Sequence, residues 1–417
     1  MSMKRMCSAL AVGFAVAALG TSAWAQIAVS GNDGKQMRPG DNPPGMRQDT
    51  VAVIDMNVFP PKVLGTVEAP ASLVGPPDSV AVAPDSSFAI VTCSQKRDPS
   101  NPKKLVLGDA VSVIGLANPK DPRVIQKVAA GYGAAGTSIN RAGTMALVAN
   151  LSGSVSVFTI SHKRLIKVGT VEMGYGSAPT DAVFAPDGRR AYVVEAGRRG
   201  IAILDVNGTR VTNTGQRIAT GSYPYSLSIA PVGGYAVNTN MQGGMTAAAL
   251  RQLEGIKEPP AAHGHSRRRN AHRAAGPPDQ SGTVTLIDLR ANKVVDTAVV
   301  GNSPEHAGMS PDGRYVEVTV ANNAIVPPTS PKYHSVFGLM RIFRVSDSKL
   351  SLIATARTGH WCQGAAWSKN DHEILLQCSM EREIEVFKFN GKTLTQDTAA
   401  TLHFNARPGA IATADNQ

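Results

Sequence analysis

The sequence predicts an all-β fold built from a repeated unit of about 45 residues, and three observations support this. Short apolar segments recur along the chain, bounded by Pro, Asp, Gly and Asn, and no long stretch has helical periodicity. One strand–turn–strand element occurs six times. Segments from the two chain ends have the same character and complete one further unit. Four strands in about 45 residues is the period of a propeller blade, so the pattern predicts a β-propeller.

The six hairpins share an apolar strand, a tight turn and a second apolar strand. In the turn, Pro fixes φ and Gly or Asn accepts positive φ. The hairpins occupy 79–94, 137–150, 181–196, 226–240, 306–322 and 364–379. Their turns, at Pro84, Arg141, Pro186, Pro231, Pro311 and Lys369, are 57, 45, 45, 80 and 58 residues apart. The shortest interval is the bare unit, and the longer intervals contain insertions.

The number of blades follows from the outer strand pairs, which begin near 51, 111, 154, 201, 283, 338 and 384 and predict seven blades. The seventh inner strand is then 408–413, at the C-terminus. Its partners are 27–33, 51–56 and 63–67. Pairing N- and C-terminal strands in one blade closes the ring and leaves no open sheet edge. We therefore predict a single seven-bladed β-propeller over 26–417, with a long insertion at 241–281.

Residues 1–25 have the features of a secretory signal peptide. Lys4 and Arg5 precede an apolar stretch from about Ala9 to Leu19, and Ala23-Trp24-Ala25 provides a small-x-small cleavage site. The mature protein is predicted to begin near Gln26 and to be periplasmic or secreted. No later apolar run is long enough to cross a bilayer, so no transmembrane segment is expected after cleavage.

The charge of the chain limits its partners. Loss of the leader leaves 40 basic and 31 acidic residues, a formal charge of +9. This excess suits an anionic surface or an acidic partner, but a solvated basic surface is the favoured interpretation. Nucleic acid is not expected, because the compartment is wrong and no nucleic-acid-binding motif is present.

Two segments carry a resemblance to a known family. APDGRRAYVVEAGRRGIAILDV at 185–206 and SPDGRYVEVTVANN at 310–323 resemble the YVTN-repeat β-propellers, which are grouped with lactonase-like propellers. The resemblance extends over nearly all of 26–417. It implies a propeller fold, and it leaves the function open because the family includes enzymes, cofactor holders and binding scaffolds.

One face of the predicted ring carries the long insertions, at 33–49, 94–109, 241–281 and 323–337. Elaborated loops on one rim of a rigid scaffold are typical of a binding face. The first residues of the innermost strands, with the residues leading into them, surround the channel mouth on this face. Convergent polar and aromatic side chains suit a polar ligand or acid–base chemistry, or simply solvate a water-filled channel. The candidate ligand-binding residues are Tyr223, Tyr225, His306, His360 and Trp361.

The catalytic candidates are His306, Glu305 and Asp181. The lactonase-like branch has Pro-Arg-His where this chain has Pro304-Glu305-His306, so the resemblance implies a substrate-contacting role for His306. Glu305 replaces the family's Arg and would repel an anionic substrate. This reversal of charge argues against assigning the family's lactonase activity to this chain.

Cys362 and Cys378 are disulfide candidates, because each lies eight residues from Asn370 at a predicted turn. Cys93 has no evident partner and is expected to be buried. His360, Cys362, Cys378 and Met380 also form a conceivable soft-metal set, although no motif spacing supports it. The sequence names no cofactor: it lacks a Cys-x-x-Cys-His haem motif and a phosphate-binding Gly-rich loop.

Two functions remain open at this point. The first is an exported binding module that holds a small-molecule ligand or an exported protein partner at its loop-rich face and channel mouth. The alternative is a lactonase-like or metal-dependent enzyme acting on a small substrate at the same mouth.

Overall fold

The computed structural model describes residues 26–41, 45–232, 234–242 and 281–414. These residues form seven antiparallel sheets whose innermost strands contact each other in order around a ring. The prediction of a seven-bladed β-propeller is therefore confirmed. The predicted signal peptide and residues 243–280 of the long insertion lie outside the described residues.

The blades are numbered from the one that contains the chain termini, and their strands are given from the channel outwards. Blade 1 is β29 (Arg407–Thr413), β1 (Ile27–Asp33), β2 (Thr50–Asp55) and β3 (Lys62–Glu68). Blade 2 is β4 (Val80–Val82), β5 (Phe88–Asp98), β6 (Asn101–Gly115) and β7 (Arg123–Ala129). Blade 3 is β8 (Ala134–Ile139), β9 (Met145–Asn150), β10 (Ser154–Ser161) and β11 (Arg164–Glu172). Blade 4 is β12 (Pro179–Phe184), β13 (Arg190–Glu195), β14 (Gly200–Asn207) and β15 (Arg210–Ala219).

The remaining three blades follow the same plan. Blade 5 is β16 (Pro224–Ile229), β17 (Tyr235–Asn240), β18 (Gly282–Asp288) and β19 (Lys293–Gly301). Blade 6 is β20 (Pro304–Met309), β21 (Tyr315–Val320), β22 (Gly338–Ser346) and β23 (Lys349–Thr358). Blade 7 is β24 (Cys362–Trp367), β25 (Glu373–Cys378), β26 (Glu383–Phe389) and β27 (Leu394–Gln396), and β28 (Leu402–His403) also pairs with β26. Short 3-10 turns occur at Ala196–Arg198 and Thr398–Ala400.

Blade 1 closes the ring as the sequence predicted. Its innermost strand β29 comes from the C-terminus and pairs antiparallel with β1, Ala28 opposite Thr413. Gln377 of blade 7 adds a polar link, since its Nε2 donates to Ser30 Oγ at 2.8 Å and to Ala410 O at 3.0 Å. The two chain ends are therefore held in one blade.

The composition of each strand matches its distance from the channel. Innermost strands such as β8 and β24 are buried along their whole length, and each contains two Ala and one Gly, which suit the close approach of strands near the channel. Outermost strands such as β7 alternate between exposed and half-buried positions. Apolar residues of neighbouring blades interdigitate; one such cluster packs Val284 and Leu286 of blade 5 against Val316 and Val318 of blade 6.

The connections differ between the two faces. On one face the first and second strands are joined by tight turns, as at 185–189, where Gly188 has φ +67° and Asp187 Oδ1 accepts from Arg189 N. On the other face lie the connections from second to third strands and the segments leading into each innermost strand, including 34–49 and 321–337. We call this the loop-rich face. The predicted insertion 94–109 is not a loop, because β5 and β6 extend through it and stay paired, with Gln95 opposite Leu107.

Within the described residues, no helix has both the length and the apolar character needed to cross a membrane.

Candidate functional site: the channel and its mouth

The innermost strands bring ionisable side chains to a cavity of about 40 Å³ in the channel. Asp78 precedes β4, Asp181 lies in β12 and His306 lies in β20, so blades 2, 4 and 6 contribute one ionisable residue each. The rest of the lining is small or apolar, namely Val80, Thr137, Ser138, Val183, Leu227, Ser228, Gly308, Ala365, Ile411 and Ala412. On this measure one water molecule needs about 10–15 Å³, so the cavity has room for a few waters.

His306 lies between two carboxylates. Its Nδ1 contacts Glu317 Oε1 in a short hydrogen bond, and its Nε2 is 3.5 Å from Asp78 Oδ1. Burial alone would lower the pKa of His306, but the charges and hydrogen bonds of Glu317 and Asp78 outweigh it and raise the pKa to about 10. His306 is therefore an imidazolium at neutral pH, with both nitrogens directed at protein carboxylates.

Asp181 is fully buried beside this group. Its Oδ1 accepts from Ala182 N at 2.8 Å and its Oδ2 from Leu227 N at 3.3 Å. Burial and the charge of Asp78 raise the pKa of Asp181 well above its usual value. The backbone packs closely on it: a Cβ at Gly136 would lie 2.4 Å from Asp181 Oδ1 and 2.7 Å from Thr180 O. Asp181 thus lines the channel cavity but is closely packed by backbone on its other sides.

Glu305 points away from its neighbour His306 and belongs to a second group with two tyrosines. Burial raises the pKa of Glu305 to about 8, and burial together with the Glu305 charge raises the pKa of Tyr223 and Tyr225. The two rings are 6.2 Å apart. The Tyr223 hydroxyl is buried and has no hydrogen-bond partner among the described residues. This group offers a neutral carboxylic acid and an unsatisfied hydroxyl near the mouth.

His360 and Trp361 lie at the start of blade 7 and are held by protein contacts. His360 Nδ1 contacts Glu381 Oε1 at 2.5 Å, its Nε2 contacts Tyr333 O at 2.8 Å, and its ring stacks on Tyr333. Trp361 packs with Leu73 and Met380 and is 8% exposed. Because both His360 nitrogens are occupied, it has no free atom for a ligand.

The structure joins Cys362 to Cys378 across β24 and β25, with an S–S distance of 2.01 Å, and Cys93 is a buried free thiol. Among the residues the structure describes, one set of three potential metal ligands lies within 4.8 Å: Cys362, Cys378 and Glu385. Disulfide sulfurs are not thiolates, so these three residues do not suit a metal while the disulfide is formed. Asp181, Glu305 and His306 do not form such a set.

A third charged group lies where blades 1 and 7 meet on the loop-rich face. The Asp41 carboxylate accepts from Arg382 Nη2 at 2.6 Å and from Arg407 Nη2 in a shorter contact. Arg38 lies over the Trp361 ring, its guanidinium carbon 4.4 Å from the ring centroid. We call Arg38, Asp41, Arg382 and Arg407 the arginine cluster.

Two groups were not among the candidates selected from the sequence. Glu317 could have been recognised by comparing the blades. It lies opposite Gly308 at a strand position that other blades fill with apolar or aromatic residues, namely Leu147, Tyr192, Val237 and Leu375. The arginine cluster had no local signal, since its members come from three segments far apart in sequence.

Comparison with known proteins supports the fold. No protein-family model matches the chain, and no curated protein matches it. A periplasmic gluconolactonase from Pseudomonas aeruginosa has a TM-score of 0.64 at 13% identity, over 93% of this chain and 98% of that one. A candidate 6-phosphogluconolactonase from Bacteroides fragilis has a TM-score of 0.63 at 15% identity, over 94% and 99%. Hydrazine synthase from Kuenenia stuttgartiensis has a TM-score of 0.54 at 17% identity, over 77% and 79%. At such identities the likeness is one of fold.

Proposed function

We propose that the chain is an exported, YVTN-type β-propeller that acts as a binding module, with its loop-rich face and channel mouth holding a ligand or an exported protein partner. The observation that carries the proposal is the state of His306. It is an imidazolium between Glu317 and Asp78, beside a cavity of about 40 Å³. A cavity that admits only a few water molecules is too small for the ligand, so the proposal puts the ligand at the rim outside it.

Acid–base catalysis needs a group whose pKa is near the working pH and whose active atom reaches the substrate. His306, with its pKa raised to about 10, has no free nitrogen to accept a proton at neutral pH. Asp181 is buried, and both its carboxylate oxygens accept from backbone N–H groups. Neither residue meets both requirements, and this favours binding over catalysis.

The alternative is a lactonase-like enzyme, and two observations favour it. Two of the neighbours named above are described as a gluconolactonase and a candidate 6-phosphogluconolactonase. Glu305, with its pKa raised to about 8, is a carboxylic acid at neutral pH and could donate a proton near the mouth. Glu305 is 4% exposed, which limits its access to substrate.

The two functions are separated by measuring hydrolysis of glucono-δ-lactone by the chain that begins at Gln26. The variants are His306→Asn and Glu305→Gln, and Glu373→Gln, at the far end of a blade 7 strand, is the control. We expect all four proteins to leave the spontaneous rate of lactone opening unchanged. Acceleration that either channel variant abolishes and the control retains would replace the binding proposal with the lactonase alternative.

Export is tested separately, by expressing the full chain with its leader and sequencing the N-terminus of the protein recovered outside the cytoplasm. We expect that sequence to begin at Gln26. Retention of Met1 in a cytoplasmic protein would contradict the exported role.

A further inference from the structure

The arginine cluster joins three guanidinium groups to one carboxylate. Arg38 and Asp41 lie in the β1–β2 connection, Arg382 precedes β26, and Arg407 begins β29. Arg407 is 2% exposed and also donates from Nη1 to Ser379 O at 2.7 Å and from Nε to Gln36 O at 3.3 Å. Its position is therefore fixed by backbone carbonyls of blade 7 and of the β1–β2 connection.

Within the cluster three guanidinium groups lie near one carboxylate, and Asp33 outside it adds a second negative charge that acts on Arg38. Asp41 pairs with Arg382 and Arg407, while its other oxygen accepts from the backbone N of Arg38 at 2.9 Å. The Arg38 side chain has a buried Nε with no hydrogen-bond partner among the described residues. Burial and the nearby charge of Arg407 lower the pKa of Arg38, and the charges of Asp33 and Asp41 offset this only in part. A guanidinium group does not lose its proton at physiological pH, so an added anion would relieve the repulsion between Arg38 and Arg407.

Solvent reaches the cluster from the loop-rich face. Met37, Pro39 and Gly40, which flank Arg38, are exposed. The side chain of Arg382 is 13% exposed and that of Asp41 is 8% exposed. The guanidinium groups therefore lie just below the surface, where an anion loses only part of its hydration on binding.

We propose that the arginine cluster binds an oxyanion group, carboxylate or phosphate, of the ligand, and that Asp41 occupies the same position when no ligand is bound. The inference rests on the proposed binding role of the loop-rich face and deepens it by naming the ligand chemistry. Guanidinium groups form paired, charge-assisted hydrogen bonds with both kinds of oxyanion. A contact that only fastened the β1–β2 connection would need one guanidinium for Asp41, and this cluster has three.

Trp361 provides the readout, because Arg38 covers its ring. The mature chain contains one other tryptophan, Trp367, which is fully buried. The experiment titrates the chain that begins at Gln26 with inorganic phosphate, and separately with acetate, and follows tryptophan emission. Sodium chloride at matched ionic strength corrects for screening, and Trp361→Phe assigns the signal.

We expect a saturable change in Trp361 emission with phosphate, with acetate or with both; the active anion identifies the class of the group. Arg38→Met keeps an apolar side chain on the ring but removes the charge, and should weaken binding by about tenfold or more. Asp41→Asn removes the competing carboxylate and should tighten binding by a similar factor. The control Lys388→Met removes a cation on the outer part of blade 7, paired with Asp397, and should leave the midpoint unchanged.

The proposal is overturned if neither anion changes the emission beyond the chloride control, or if Arg38→Met binds with the wild-type midpoint. If Asp41→Asn does not fold, the comparison between Arg38→Met and Lys388→Met still decides the question. The result is independent of the lactone assay. Lactone turnover that depends on His306 would refute the binding role, whereas absence of anion binding would refute only the ligand chemistry.

Discussion

The channel and the arginine cluster are opposite cases of unbalanced charge. In the channel, one imidazole lies among the carboxylates of Asp78, Asp181 and Glu317. At the rim, Asp41 pairs with the guanidinium groups of Arg382 and Arg407, and that of Arg38 lies over Trp361. Neighbouring groups relieve the excess of buried carboxylates by keeping their protons. The pKa values of His306 and Asp181 are raised accordingly. Arginine has no such route, so an anion from outside would relieve the repulsion among the guanidinium groups.

The charged group in the channel stabilises the fold, so we expect its disruption to lower the free energy of unfolding the most. Glu317→Gln leaves buried His306 without its closest carboxylate, and breaking a buried pair costs about 3–5 kcal/mol. We expect the free energy of unfolding, measured by urea denaturation, to fall by that amount. Glu373→Gln, the same change at a half-buried strand end, should have little effect. Equal stability of the two variants would mean that the Glu317–His306 contact contributes nothing.

The Cys362–Cys378 disulfide fastens blade 7 beside the arginine cluster. Closing a loop of about 15 residues is worth about 3 kcal/mol, so replacing both cysteines by alanine should lower the free energy of unfolding by about that amount. Thiol titration of the denatured, unreduced mature chain provides the direct check, and it should find one thiol, from Cys93. Three thiols would show that the disulfide does not form.

Close packing around Asp181 gives a smaller effect. A Cβ at Gly136 would approach the Thr180–Asp181 backbone to 2.7 Å, so Gly136→Ala should cost about 1–3 kcal/mol in urea denaturation. The control is Gly169→Ala in β11, where a Cβ would meet only Val157, at an ordinary 3.9 Å. If both alanines were tolerated equally, Asp181 would have more room than the structure gives it.

The pH dependence of stability distinguishes the two regions, because arginine does not titrate in the accessible range. His306 has a pKa near 6.5 when unfolded and about 10 when folded. Its contribution is complete below about pH 6.5 and is lost as the pH rises towards 10. The free energy of unfolding should therefore fall between pH 7 and 9, and His306→Gln should flatten that slope by about one proton. An unchanged slope would place the titrating group elsewhere.

The fold was predictable from the sequence because each blade repeats the same pattern of short apolar strands and tight turns. Turns such as Pro186-Asp187-Gly188 recur with the same chemistry, and the end strands 27–33 and 408–413 had the character of missing blade strands. The extension of β5 and β6 through 94–109 was missed, since its polar residues resemble a loop although they stay paired.

The site was less predictable because it forms where side chains from distant parts of the sequence come together. His306, Glu305 and Asp181 were chosen for their positions at innermost strands, but the side chains of Glu305 and His306 point to different groups. The partner of His306, Glu317, lies in the second strand of its own blade, where only comparison between blades marks it. Arg38, Arg382 and Arg407 meet only because blade 1 contains both chain ends.

The most direct test of the central claim is the protonation state of His306, measured by NMR of imidazole-labelled protein from pH 6 to 11. The chain has 9 histidines, and His306→Gln assigns the resonance. The account predicts an imidazolium through neutral pH that titrates at about 10. A neutral His306 at pH 7, titrating near the ordinary histidine value of about 6.5, would contradict it and restore His306 as a general base.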